Sequence, residues 1–229
     1  MPKKEQANES VDAITAARLL RSHWQVVSDA AALDEGLSYV ADARVREDIA
    51  SSINHPMVTY RFCLPTQLLG KLVNPALDCL RLQRRKDGSR DVTGWDARSL
   101  ASKVVAPFNA EQENVLGTSA DPYVGNPMRI PKMSRDDASK KDVPGWNKLF
   151  DILSEVQSRG AEQFTTNVFR QALLEMYRRQ KTLHFSYPVP PRVSLDASME
   201  LCFKFLAERS GGDRMLAVTG ALFLSLIHI

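Results

Sequence analysis

Clusters of cations are the part of this sequence with the most chemistry to offer. Arg81, Arg84, Arg85, Lys86 and Arg90 stand against Asp87 alone. Arg129, Lys132, Arg135, Lys140, Lys141 and Lys148 outnumber Asp136, Asp137 and Asp142, and Arg178, Arg179 and Lys181 follow together farther along. Arginine suits phosphate oxygens and guanine edges because its planar fork donates two parallel hydrogen bonds. Cations at helix ends also complement the macrodipole and keep a surface solvated, so charge runs alone leave both readings open. On the first reading, Arg84, Arg85, Arg98, Asn126, Arg129, Lys140, Lys141, Arg178 and Arg179 are candidate DNA contacts. Asn126 and Arg129 would reach base edges from a loop, although Asn126 before Pro127 equally fits a turn.

No residue set reads as catalytic or metal-binding. His23, His55 and His184 are isolated, without ligand spacing, and there is no phosphate loop, no nucleophile turn and no His-Glu-x-x-His helix. Metal-dependent nucleases commonly set Lys two positions after a carboxylate, so that carboxylates hold the metal while the amine steadies the attacking water. No lysine here has Asp or Glu two residues before it. An enzyme complete within these residues would need carboxylates to converge, for which Glu111, Glu113 and Asp121 are the candidates.

Helices must position these residues. From a cap at Ser10, the residues Ile14, Ala17, Leu20, Trp24, Val27 and Ala31 recur at steps of three and four and form one stripe. A second helix is expected from Asp34 to about Ile53. Residues 64–82, broken at Asn74-Pro75, should give two short helices with Asn74 capping the second. Arg98 to Val105 reads as a short helix ended by Pro107. The run from Gly117 to Pro131 has no helical or strand period and is expected to be a long ordered loop, packed through Tyr123, Val124, Met128 and Ile130. Helices resume at Trp146 to Gln157 and Glu162 to Lys181, and a further one is capped by Ser194 and ended by Gly211-Gly212. Strand signals are nearly absent, so the fold is expected to be mostly α.

Length and composition bound the class. The 229 residues include 44% hydrophobic and 25% charged residues, with a formal net charge of +3. These proportions exclude collagen-like and fully disordered chains and leave nucleic acid permitted. Cys63, Cys79 and Cys202 are odd in number, lack Cys-x-x-Cys spacing, and read as reduced core residues of a soluble cytoplasmic protein. No signal peptide or bilayer-length apolar run is present.

The last residues call for separate treatment. Leu-Ser-Leu-Ile-His-Ile, residues 224–229, is what the codons CTG-TCT-CTT-ATA-CAC-ATC specify, a transposon end attached to DNA in library preparation. Residues 224–229 are therefore expected to be a sequencing artefact, with the natural protein continuing past Phe223. The expected organisation is a helical domain over 1–187, a Pro-rich linker over 188–191, and the start of a truncated domain over 192–223.

Against this frame, Arg98-Ser-Leu100, Val104-Val-Ala-Pro107, Leu116-Gly117, Pro122 and Asn126-Pro127 resemble type II restriction endonucleases of the SacI kind. Ser210 to Phe223 is similar to the first helix of that family's nuclease domain. The resemblance implies a multi-helix N-terminal domain followed by the first helices of a missing α/β nuclease domain of the PD-(D/E)xK type. It implies double-stranded DNA as partner, a homodimeric parent and Mg2+ in the parent, with the catalytic residues beyond the end of this chain. The alternative is a complete non-catalytic helical module for DNA or protein binding, in which residues 224–229 pack into the core.

Overall fold

The computed structural model describes residues 11–83, 95–125, 128–137, 139–183, 195–207 and 212–227. It divides into two units, 1–184 and 185–229. The cap expected at Ser10, the cap at Ser194, the linker 188–191 and Gly211 lie outside the described residues.

In the first unit, α1 (Ala13–Leu33) starts at Asp12, whose carboxylate accepts the Thr15 N–H. Leu20, Trp24 and Val27 are buried as the stripe predicts, but Ile14 is 71% exposed and Ala16 takes the inward place. The second helix begins later than its periodicity predicts. α2 (Ala43–Ile53) is capped by Asp42, while residues 34–42 form a loop held by Gln171, which accepts the Tyr39 N–H at 2.9 Å. A polar anchor outside the segment keeps that stretch from continuing the helical turn.

α3 (Val58–Val73) is the central helix, and every residue from Phe62 to Lys71 is buried. It packs against α1, α2, α6 and α7, as a helix buried on all faces must. The second short helix expected after Asn74 does not form. Asn74 closes α3 by giving its N–H to Gly70 O, and its side chain accepts the Ala76 N–H in a turn. Backbone from Leu80 to Gln83 then pairs with 131–133, through Leu82 N to Pro131 O (3.0 Å) and Met133 N to Leu80 O (2.8 Å). That pairing places Arg81 and Lys132 opposite each other in an antiparallel bridge.

Pro107 fails to end the next helix. α4 (Ala97–Leu100) passes through a π turn, Ala101–Val105, into α5 (Ala106–Glu111). The wider turn, closed by Ala106 N on Ala101 O, falls just before the residue that has no N–H to offer. α6 (Val143–Arg159) and α7 (Glu162–Leu183) match their expected spans to within three residues, and Gly160 between them adopts the left-handed conformation at φ 59°. The core runs from Ala16 to Met176 and includes Cys63 and Cys79, whose thiols burial pushes up to about 12.

The second unit is described over α8 (Leu195–Ala207) and α9 (Asp213–Ile227), which pack on each other. Arg214 donates to Phe205 O at 2.8 Å and lies over that ring. Large apolar side chains of both helices, Phe203 and Phe223 among them, are more than 60% exposed. The mostly α expectation agrees with the fold: among the described residues there are helices and one isolated bridge, and no strand. No described helix is long and apolar enough to cross a membrane.

Candidate nucleic-acid interface

The loop between α5 and α6 carries four of the nine candidate contacts, Asn126, Arg129, Lys140 and Lys141, and buried side chains hold it in shape. Asn109 at its root is buried, takes the Leu116 N–H on Oδ1 (2.7 Å) and gives Nδ2 to Gly117 O (3.0 Å). Glu113 and Asn114 adopt positive φ there, at 59° and 56°, so the chain reverses tightly. Farther on, Tyr123 is fully buried and accepts the Gln67 amide N–H at 3.1 Å. Met128 is buried and Ile130 partly so, as the packed-loop reading predicts, whereas Val124 faces solvent.

Residues 134–137 and 139–142 fold back onto α6. Trp146 Nε1 donates to Ser134 O at 2.8 Å, and Asp136 and Asn147 exchange two hydrogen bonds of 2.9 and 2.7 Å. At the end of this segment Asp142 caps α6 by accepting the Gly145 N–H and also contacts His55 Nε2 at 2.6 Å. His55 Nδ1 accepts the Met57 N–H, so the ring carries its proton on Nε2 and donates it to Asp142. The Gly145 N–H first, and His55 second, hold the Asp142 carboxyl below the usual carboxylate range. Gly145 is required here, because a Cβ would lie 2.6 Å from His55 Nε2.

With this frame in place, the candidate DNA contacts separate by what they touch. Arg84, Arg85 and Asn126 lie outside the described residues. Arg98 gives two N–H groups to Asp121 Oδ2, and Arg178 bonds Glu175 and Leu37 O, each at 2.7 Å. Lys140 is turned inward: its side chain is 2% exposed, paired with Asp137 at 3.2 Å and set over the Trp146 ring at 4.6 Å. Its ammonium is therefore covered by protein in this conformation. Arg129 is exposed and gives its Nε–H to Val124 O at 2.9 Å, and Lys141 is exposed. Arg179 is half-buried and bonds neutral oxygens, Val115 O (2.7 Å) and Asn54 Oδ1 (3.0 Å).

Sequence reasoning missed Arg61, which joins Arg179 at the same two loops. Its guanidinium donates to the carbonyls of His55, Pro56 and Leu116. The available signal was an arginine inside the apolar run Tyr60-Arg-Phe-Cys63, where a buried cation needs a reason. The His55–Asp142 pair was also missed, since its members are 87 residues apart.

The three carboxylates considered for an enzyme do not form one site. Glu111 binds Arg21 and Asp121 binds Arg98, on separate partners. Among the described residues no group of three or more His, Cys, Asp or Glu side chains could hold a metal ion.

No curated protein matches the chain. The family model described as the SacI restriction endonuclease N-terminal domain matches residues 15–177, well over half the chain. The match takes in Arg98-Ser-Leu100, the Val104 to Pro107 segment carried through the π turn, Leu116-Gly117 and Pro122, and it ends before the second unit. The chain therefore belongs to the family of SacI restriction endonuclease N-terminal domains.

Proposed function

We propose that this chain is the N-terminal portion of a type II site-specific deoxyribonuclease and that it binds double-stranded DNA. The observation that carries the reading is the family match over residues 15–177. Support comes from cations of the first unit that no carboxylate among the described residues neutralises, Arg61, Arg129, Lys141 and Arg179, with Arg84, Arg85 and Asn126 added from the sequence. Phosphate contacts of this kind set register and affinity, while a loop residue such as Asn126 would read bases. Arg98, Lys140 and Arg178 contribute instead by holding the loops that present the others, since each has its charge engaged within the protein.

Hydrolysis of the phosphodiester belongs to the parent. The family implies Mg2+ in the parent; of the candidate carboxylates, Glu111 and Asp121 are engaged with arginines, and no catalytic step is assigned to them. The carboxylates and lysine would follow the second unit, whose exposed apolar side chains support a further layer over α8 and α9. The alternative of a complete module has residues 224–229 packed into the core; their side chains lie outside the described residues, while Met215, Leu216, Leu222 and Phe223 ahead of them are exposed. The parent is a homodimer matched to a two-fold DNA site.

Mobility-shift titrations of duplex DNA at several salt concentrations test the reading. Binding at low salt, weakening with a log–log slope of about 0.9 per phosphate neutralised, is expected. A chain that leaves the duplex free at low salt, or binds it regardless of salt, overturns the proposal.

A further inference from the structure

Two guanidinium groups come together where the α2–α3 junction, the loop after α5 and the end of α7 meet. Arg61 gives its Nε–H to His55 O, Nη2 to Pro56 O (3.1 Å) and Nη1 to Leu116 O (3.3 Å). Arg179 gives Nε to Val115 O (2.7 Å) and Nη1 to Asn54 Oδ1 (3.0 Å). The acceptors are neighbours along the same two segments, 54–56 and 115–116, so the cations are held side by side. Burial first, and the Arg179 charge second, lower the pKa of Arg61.

Among the described residues these are two cations brought together with no carboxylate between them. Arg21, Arg98, Arg135 and Arg178 each meet a carboxylate, whereas the partners of Arg61 and Arg179 among the described residues are neutral oxygens. Carbonyl dipoles orient a guanidinium without cancelling its charge, and two like charges in a half-buried setting are poorly screened. Each fork carries five N–H donors, and the bonds just given leave some unused on both. Gly117 beside them has φ +95°, and a Cβ at that position would lie 3.2 Å from Arg61 Nη1, so a side chain there would crowd the guanidinium. Planar forks with spare donors and uncancelled charge match the oxygens of a phosphate group.

We propose that Arg61 and Arg179 act together as a clamp for one phosphodiester oxyanion of the DNA backbone. The ligand class is a phosphate oxyanion, and its assignment to DNA rests on the DNA-binding function proposed above. The two loops it spans, 54–56 and 115–117, come from distant parts of the chain, so the anion would also lock their relative placement.

The test uses the full chain and follows the arginine Nε–H resonances by NMR. Both Nε–H groups are hydrogen-bonded to carbonyls, which slows their exchange and makes them observable. Titration with a short DNA duplex is expected to move the Arg61 and Arg179 resonances saturably, and inorganic phosphate to move the same two more weakly. R179Q is expected to keep the circular dichroism spectrum and lower the salt slope of duplex binding by about 0.9, the loss of one phosphate contact. R61K, which keeps the charge but not the fork, provides a second variant. Duplex binding that leaves both resonances unmoved overturns the clamp while the DNA-binding function stands. Movement with inorganic phosphate but no binding of duplex overturns the DNA assignment and the proposed function with it, leaving a site for a free anion. No movement with either ligand overturns the clamp.

Discussion

His23 shows how a single side chain sets a pH response. Its Nδ1 accepts the Arg170 Nε–H at 3.1 Å and its ring meets Phe169 edge-on, an arrangement that requires the neutral imidazole. Burial first, and the Arg170 charge second, hold its pKa below the ordinary value of 6.5. A lowered folded-state pKa means that the unfolded chain binds more protons. The stabilising contribution is therefore present above the ordinary value and is lost as pH falls through the folded one. Between about pH 7 and pH 5, Tm is expected to fall more steeply for the natural protein than for H23Q, in which the Gln carbonyl can still accept from Arg170. Equal slopes in scanning calorimetry would count against this account. His55 was as isolated in the sequence as His23, and neither partner was legible, because Asp142 and Arg170 lie 87 and 147 residues away.

At the scale of elements, α3 is central, buried from Phe62 to Lys71 with the Lys71 ammonium bonded to Leu77 O, and one glycine admits its largest neighbour. A Cβ on Gly70 would lie 2.4 Å from the Trp95 ring, and Trp95 is 2% exposed and donates to Asp78 O. Neither the helix nor the indole can retreat without opening the core. G70A is therefore expected to lower stability by about 1–3 kcal/mol, read from the urea midpoint. The same change at Gly220, where the Cβ position is open, carries no such penalty. An unchanged midpoint for G70A would mean that Trp95 is seated elsewhere. The elements also show where periodicity loses to context. Residues 34–42 scan as helix yet are held as a loop by Gln171, and the stretch after Asn74 unwinds to pair with 131–133. Pro107, read as a terminator, is absorbed by a π turn that widens the helix just ahead of it.

For the whole molecule, the buried apolar residues among those described fall between Ala16 and Met176, within the first unit and close to the span of the family match. A chain cut to residues 1–184 is expected to unfold in one cooperative urea transition. A non-cooperative transition would show that the core depends on the second unit. The exposed Met199, Leu201, Phe203, Leu216 and Phe223 of α8 and α9 lead to a companion expectation, that the cut chain self-associates less in sedimentation at matched concentration.

The sequence by itself determined what depends on neighbours along the chain. Apolar residues at steps of three and four placed α1, α6 and α7, the scarcity of strand signals set the helical class, and short local strings carried the family. Tertiary structure alone decided the fate of the charges. Lys140 and Arg179 look equally basic in sequence, yet packing buries one against Asp137 and Trp146 and sets the other beside Arg61 on neutral oxygens of Val115 and Asn54. Helical and turn preferences act over a few residues, whereas an ion pair such as Arg21 with Glu111, 90 positions apart, exists only once the core has brought two surfaces together.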